Sequence, residues 1–341
     1  MTRRWLLALL LLSAGCGDEK KPAVAEAPRP PEKKEEAPKL PEGEELDAAT
    51  EVLVKDPTYA ERRKRDDYVQ DDKLPAGAIR GLCAVTPPKG TTQAPAEKTM
   101  EVALAQPREG ELDYYRNLKL KTRDVPWWMG DKVNRNGEFG VYGAVLTVRG
   151  VKKGKRPPMV RPSYLVKTGR ITTSWGSNAW GPFSFSPAGE RANIGTYDGY
   201  SCQIGFTHLG TGKKLGEGEV SAFDKDTIKP LGGGGQHFTA RPKMAQSPPL
   251  LDPGMVEIAC SRHPWQKGYL CVWENPYACV VQGHYDPEQV GKFTLDGIPV
   301  GRHTLEIWHP TLEPVSKTVE IEVKENETTE IKIDFKWSET R

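Results

Sequence analysis

Lys317-Thr318-Val319-Glu320-Ile321-Glu322-Val323 and Thr328-Thr329-Glu330-Ile331-Lys332-Ile333-Asp334-Phe335 alternate apolar and polar residues almost without a break. Successive side chains of a strand point to opposite faces, so this period puts Val319, Ile321 and Val323 on one face. Ile331, Ile333 and Phe335 repeat the device. Working backwards, His303-Thr304-Leu305-Glu306-Ile307-Trp308, Lys292-Phe293-Thr294-Leu295 and Val256-Glu257-Ile258-Ala259 alternate in the same way, and Pro299 and Gly301 supply turn residues between strands. Tyr269-Leu270-Cys271-Val272-Trp273 and Tyr277-Ala278-Cys279-Val280-Val281 flank Glu274-Asn275-Pro276 and read as a hairpin. Further upstream, Ala78 to Val85 and Val141 to Val148 are rich in β-formers, with a turn at Asn134-Arg135-Asn136-Gly137. The chain has 34 Gly and 29 Pro, as many short strands and turns require. The expectation is an all-β fold built from four to six consecutive antiparallel strands at the C-terminal end and further strands from Gly77 onward.

The other end of the chain reads differently. Arg3 and Arg4 precede an apolar run from Trp5 to Leu12, followed by Leu12-Ser13-Ala14-Gly15-Cys16. A basic start, a short apolar core and small residues make a secretory signal. The run is too short to span a bilayer. Its end resembles the bacterial lipobox, which implies cleavage before Cys16 and acylation of that cysteine. Gly17 to Glu45 is rich in Pro, Glu, Lys and Ala and cannot bury enough apolar surface to offset its ordering entropy. It reads as a disordered tether. Leu46 to Lys73 is dense in charges of both signs, which allows a short exposed helix.

Charge and motif exclude several functions. Removing Arg3 and Arg4 from the 48 basic residues leaves them equal in number to the 46 acidic ones, so no nucleic-acid partner is expected. Gly232 to Gly235 is a flexible loop and not a phosphate cradle, since no Lys-Ser/Thr follows it. There is no G-x-S-x-G elbow and no C-x-x-C, which argues against a serine hydrolase, a thioredoxin-like site and a zinc ribbon. Glu42 to Glu45 and Asp71-Asp72 read as solvated runs. No catalytic residue is expected.

Two segments resemble known families. Gly291 and Phe293 to Leu305 are similar to the G-x-F-x-[LI]-x-x-[VI]-P-x-G-x-[YH]-x-L run of carboxypeptidase-regulatory-like domains, which are small, non-catalytic, transthyretin-like β-sandwiches. Cys260-Ser261-Arg262-His263-Pro264-Trp265-Gln266-Lys267-Gly268-Tyr269, with Asn275-Pro276-Tyr277 and Trp308-His309, resembles secreted bacterial proteins that join a cupredoxin-like segment to such a tail. That resemblance implies a copper site of soft thiolate and imidazole ligands. Cys260 and His263 match the thiolate and imidazole positions. Gln266 stands where the family has an axial Met, and Cys202, in Tyr197 to Gln203, stands at the upstream His position. Asn275 replaces a hairpin His and Pro310 a Glu. The implied metal set is therefore Cys260, His263, Cys202 and Gln266, with His208 or His237 as further candidates.

Disulfides are the default in an exported chain. The resemblance makes Cys202–Cys260 neighbours, Cys271–Cys279 would bridge the hairpin strands, and Cys83 would be left as a small buried hydrophobe. Sequence alone does not fix the connectivity. Trp127-Trp128, Trp175, Trp180, Phe183 and Phe185 are either core or a stacking surface.

The expected organisation is a lipoprotein signal peptide (1–15), a disordered tether (16–45), a charged segment with a short helix (46–75), a cupredoxin-like β-sandwich with insertions (76–275) and a carboxypeptidase-regulatory-like β-domain (276–341). The expected function is a non-catalytic, membrane-anchored envelope lipoprotein that binds or scaffolds, needs no cofactor, and meets membrane lipid through acylated Cys16 and an envelope protein or glycan beyond it. One alternative is a periplasmic copper-binding or electron-transfer cupredoxin with a degenerate site. Another is a carbohydrate-binding surface protein.

Overall fold

The computed structural model describes residues 68–94, 102–119, 129–155, 162–167, 170–173, 182–222, 228–230, 236–238, 244–283 and 286–337. The signal peptide, the tether, Cys16, the charged segment up to residue 67, Trp127, Trp128, Trp175, Trp180 and the four-glycine loop lie outside them. Among the described residues the protein is all-β apart from one short helix, α1 (Glu111–Asn117), and no helix is long and apolar enough to cross a membrane.

Two pairs of facing sheets carry most of the described strands, and two small sheets, Val69–Gln70 with Lys153–Gly154 and Ile228–Pro230 with Gln236–Phe238, lie apart from them in the pairing. In the first pair, a five-stranded sheet has the order Lys213–Val220, Cys202–His208, Gly254–Cys260, Lys267–Trp273, Phe183–Pro187. It faces a four-stranded sheet of Ala245–Gln246, Asn193–Thr196, Ser163–Lys167 and Arg170–Thr173. Period-two alternation does the sorting: Cys202, Ile204 and Phe206 share one face of their strand and Val256, Ile258 and Cys260 one face of theirs. They meet Tyr164, Val166, Ile171 and Ile194 from the opposite sheet in one core. Large apolar side chains buried in this way each contribute roughly 1.5–3 kcal/mol.

The second pair sets Ala278–Val280, Val145–Arg149, Gly301–Trp308 and Thr318–Val323 against Lys292–Pro299, Ala76–Val85 and Thr328–Phe335, with Phe139–Gly140 also paired to Ala76–Val85. Its core joins Ile79, Cys83, Leu146, Leu305, Ile321 and Ile333. Gly291 shows why one residue of the resembling run must be glycine. It has φ 85°, and a Cβ there would run into the Cys83 carbonyl oxygen and the Val141 nitrogen. A third apolar layer, with Phe183, Phe185, Met255, Tyr269 and Cys271 on one side and Tyr142, Val145, Ala278, Val280 and Trp308 on the other, stacks the five-stranded sheet on the second sandwich.

Three expectations are corrected. The hairpin across Glu274-Asn275-Pro276 does not form: Lys267–Trp273 belongs to one sandwich, and Ala278–Val280 pairs antiparallel with Val145–Arg149 in the other. Asn275 holds this crossing, donating through Nδ2 to the Val148 carbonyl (2.8 Å) and accepting the Tyr277 N–H on Oδ1 (3.1 Å). Nor are the C-terminal strands a simple run of antiparallel neighbours. Thr318–Val323 and Thr328–Phe335 lie in different sheets, and the latter runs parallel to Ala76–Val85. Their apolar faces cover each other across the core, which sheet-on-sheet packing favours. Finally, the boundary at 275/276 does not separate two sandwiches. Ala76–Val85, Phe139–Gly140 and Val145–Arg149 all pair with strands of the C-terminal sandwich or with each other within it.

Candidate functional site

The site is built where two neighbouring strands end on the same face. Ile204 lies opposite Cys260 in the ladder, so Cys202, two residues back along its strand, lies diagonal to Cys260 and on its face. Their Cα atoms are 5.8 Å apart and the two are joined by a disulfide, a separation ordinary for that bond. The chain leaving Cys260 then turns back at once. Cys260 N–H donates to the Gln266 carbonyl (3.1 Å) and Gln266 N–H to the His263 carbonyl (2.8 Å) before Lys267 rejoins the sheet opposite Ala259. This tight turn folds His263 and Gln266 over the sulfurs.

Four side chains meet there. His263 Nδ1 is 3.2 Å from Cys260 Sγ, and Gln266 Oε1 is 3.4 Å from Cys202 Sγ. One ligand atom each from Cys202, Cys260 and His263 falls within 4.8 Å of the others. All four residues are buried, His263 and Gln266 at 0% exposure. Gln266 Nε2 has no hydrogen-bond partner among the described residues, an orphaned donor that costs free energy when buried.

Helix α1, absent from the sequence expectations, covers the site. Glu111, Tyr115 and Leu118 fall at helical i, i+4 and i+7 spacing, and Tyr115 packs with Val102 and Trp265 in a small core of its own. The His263 ring packs against both Tyr115 (centroids 4.6 Å apart) and Trp265 (5.5 Å), which also touch each other (5.4 Å). Glu111 is fully buried, and its Oε1 lies 3.0 Å from His263 Nε2. Its Oε2 accepts from Arg262 Nη2 (3.0 Å) and from the Arg108 N–H (2.8 Å). Burial alone would raise the Glu111 pKa, but the Arg108 N–H, His263 and Arg262 outweigh it and hold it below the usual carboxylate value. Burial pushes His263 down, with Glu111 opposing. The sequence did carry a signal for this helix: Gly110, then acidic Glu111 and Asp113 in the first turn, then apolar Leu112 and Tyr115.

The remaining expected residues fall elsewhere. His208 ends the strand that Cys202 begins, six residues or about 20 Å away. Its ring is held by the Pro253 carbonyl (3.1 Å) and the Thr211 N–H (3.2 Å), so it is no ligand here. His237 lies in Gln236–Phe238, which among the described residues pairs with Ile228–Pro230 and no other strand. Cys271 and Cys279 are free thiols, as is Cys83. The reason is again alternation. Cys279 points into the core that holds Cys83, whereas Ala278 and Val280 face the layer that holds Cys271. Burial pushes the Cys271 and Cys279 thiols up to about 12, which makes them inert. Phe183 and Phe185 are core, at 1% and 7% exposure, and offer no stacking surface. A separate cavity of about 610 Å³ between the sandwiches is lined by Arg149, Glu306, Trp273 and Trp308 among others, and Arg149 pairs with Glu306 at 2.5 Å.

No protein-family model matches the chain, and no curated protein is detectably similar in sequence. Among solved structures, a purple cupredoxin from Nitrosopumilus maritimus aligns at TM-score 0.22 and 15% identity, over 33% of this chain and 99% of its own. An amicyanin mutant aligns at TM-score 0.21 and 10% identity, over 38% and 98%. A copper-containing nitrite reductase from Thermus scotoductus aligns at TM-score 0.22 and 11% identity, over 36% of this chain and 24% of its own.

Proposed function

We propose that this chain is an exported, lipid-anchored envelope protein whose first sandwich is cupredoxin-like and, with Cys202 and Cys260 reduced, holds one thiophilic metal ion of the copper class. It performs no bond-breaking catalysis. The observation that carries the reading is the convergence of two sulfurs, one imidazole nitrogen and one amide oxygen from two strand ends and one turn, all buried. The N-terminal signal and the lipobox-like Leu12 to Cys16 support the location.

The donor set fits such an ion. Two thiolates and an imidazole suit Cu(I) or Zn(II), and an amide oxygen is an accepted weak axial donor. Two thiolates would offset the charge of a buried cation, neutralising Zn(II) and leaving one negative charge with Cu(I), where a lone buried ion would go uncompensated. When bound, a copper ion would supply one-electron redox capacity. Cys202 and Cys260 give up their ligand role in the disulfide, so metal and disulfide exclude each other. His263 is held by Glu111 and ringed by Tyr115 and Trp265, which keeps bulk water away from the sulfurs. That closure supports holding and handling a metal over rapid exchange with a docking partner.

The test uses the full chain in detergent. After anaerobic reduction by a dithiol, about one equivalent of Cu(I) is taken up against a colorimetric competitor, while the oxidised protein takes up none. Cys202→Ser and Cys260→Ser each weaken uptake by at least about tenfold. Equal uptake by oxidised and reduced protein, or full retention in Cys260→Ser, would overturn the reading.

A further inference from the structure

Glu111 is a buried carboxylate that no sequence motif for this site contains, and both of its oxygens are committed. Oε2 faces only donors, the Arg108 N–H and Arg262 Nη2, at 2.8 and 3.0 Å. Oε1 faces His263 Nε2 at 3.0 Å. A carboxylate has no hydrogen to give, so the imidazole must be the donor across that contact. The hydrogen then resides on Nε2, and the lone pair of a neutral ring is left on Nδ1. Nδ1 is the nitrogen 3.2 Å from Cys260 Sγ.

We propose that Glu111 is a positioning residue: by accepting from His263 Nε2 it selects the ring tautomer whose Nδ1 lone pair faces the Cys202/Cys260 sulfurs, so that helix α1 presets the nitrogen ligand before any metal arrives. For its effect on metal affinity the inference rests on the reading above; for the hydrogen placement it does not. The arrangement matches the general role of carboxylates that orient metal-ligating histidines from behind, whose loss costs about 10–100-fold in affinity. Arg262 locks the device from the other side. It bonds both Glu111 and the Gln106 carbonyl (3.2 Å), so the carboxylate cannot swing away from the ring without abandoning an ion pair.

The geometry makes a specific statement about Glu111→Gln. The Arg108 N–H and Arg262 still demand an oxygen, so the amide turns its oxygen to them and its NH2 to His263. The ring must then accept at Nε2 and carry its hydrogen on Nδ1, which is the wrong tautomer for a ligand. An isosteric amide can leave a geometry intact and still install the wrong tautomer. A merely structural Glu111 would predict no such inversion.

The experiment has two arms, both on the full chain. Two-bond nitrogen–proton correlation spectra of the oxidised, metal-free protein locate the His263 hydrogen. The expected result is Nε2–H in the wild type and Nδ1–H in Glu111→Gln. The wild-type spectrum needs no variant, so a variant that fails to fold does not remove the test. Nδ1–H in the wild type, or Nε2–H in a folded Glu111→Gln, would overturn the inference. In the second arm Co(II) is titrated anaerobically into dithiol-reduced protein and followed by its visible bands. At least a tenfold loss of affinity in Glu111→Gln is expected. Equal affinity of wild type and variant would overturn the positioning role. A wild type that binds neither Co(II) nor Cu(I) would overturn the metal reading instead, leaving the first arm to decide the tautomer.

Discussion

His309 is buried with both ring nitrogens engaged: Nε2 donates to the Tyr142 carbonyl (3.1 Å), and Nδ1 accepts the N–H groups of Thr311 (3.1 Å) and Leu312 (2.8 Å). This wiring needs a neutral ring, and burial lowers its pKa from 6.5 to about 3. The folded value lies below the unfolded one, so in the unfolded chain the ring takes up a proton that the fold refuses. The contribution is full above pH 6.5 and drains away as the pH falls towards about 3. In urea titrations the wild-type midpoint should therefore fall across that window. In His309→Asn the fall should be shallower, although the variant starts about 1–3 kcal/mol less stable because its hydrogen bonds are imperfectly replaced. An equally steep fall in the variant would mean another group governs the acid limb. The sequence made Trp308-His309 visible as part of a resemblance, but not the ring's role, because its Nε2 partner, the Tyr142 carbonyl, comes from a distant part of the chain.

At the scale of elements, the strands were legible and their pairing was not. Thr328 to Phe335 is a strand with the bounds its alternation implies, and Ala78 to Val85 lies within the observed Ala76–Val85. Alternation reports which face is apolar, and that is a property of one segment. Which strand lies beside it is decided by other segments competing for the same edge. The cysteines show the consequence. Tyr269–Trp273 and Tyr277–Val281 read as two arms of one hairpin, which would bridge Cys271 to Cys279; instead their side chains lie on opposite faces of the Ala278–Val280 strand. A Cys16→Ser version of the full chain should thus show three free thiols when denatured without reductant, those of Cys83, Cys271 and Cys279, and five after reduction. In the native state Cys83 and Cys271, both buried, should react with a thiol reagent only as fast as the fold opens. One free thiol on denaturation would show that Cys271 and Cys279 are bridged after all. The one helix among the described residues leaves little trace in the sequence for a related reason. Seven residues are too few for a hydrophobic period to stand out, and α1 is held by Tyr115, Trp265 and the buried Glu111 more than by its own propensity.

The whole molecule is an interleaved object. Ala76–Val85 lies in the middle of the sheet between Lys292–Pro299 and Thr328–Phe335, so the C-terminal sandwich is incomplete without a strand from the far end of the described chain. Residues 276–341 expressed alone should show no dispersed amide spectrum, because two strands lose their shared neighbour and the core loses Ile79, Cys83 and Val85. In the full chain Ile79→Ala should cost about 2–5 kcal/mol, measured in urea. A folded 276–341 fragment would restore the boundary that the sequence suggested. By itself the sequence determined that the strands from Gly77 onward make a β-sandwich protein, that each has one apolar face, and that Cys202, Cys260, His263 and Gln266 share a place through their likeness to a known pattern. Those properties follow from side-chain period and local spacing. Only the tertiary structure decided that Glu111 stands behind His263, that Cys202 and Cys260 are bonded, and that strands from both ends of the chain close one core. Each of these depends on contacts between residues scores of positions apart, where the solution is set by packing several segments at once and leaves no mark on any one of them.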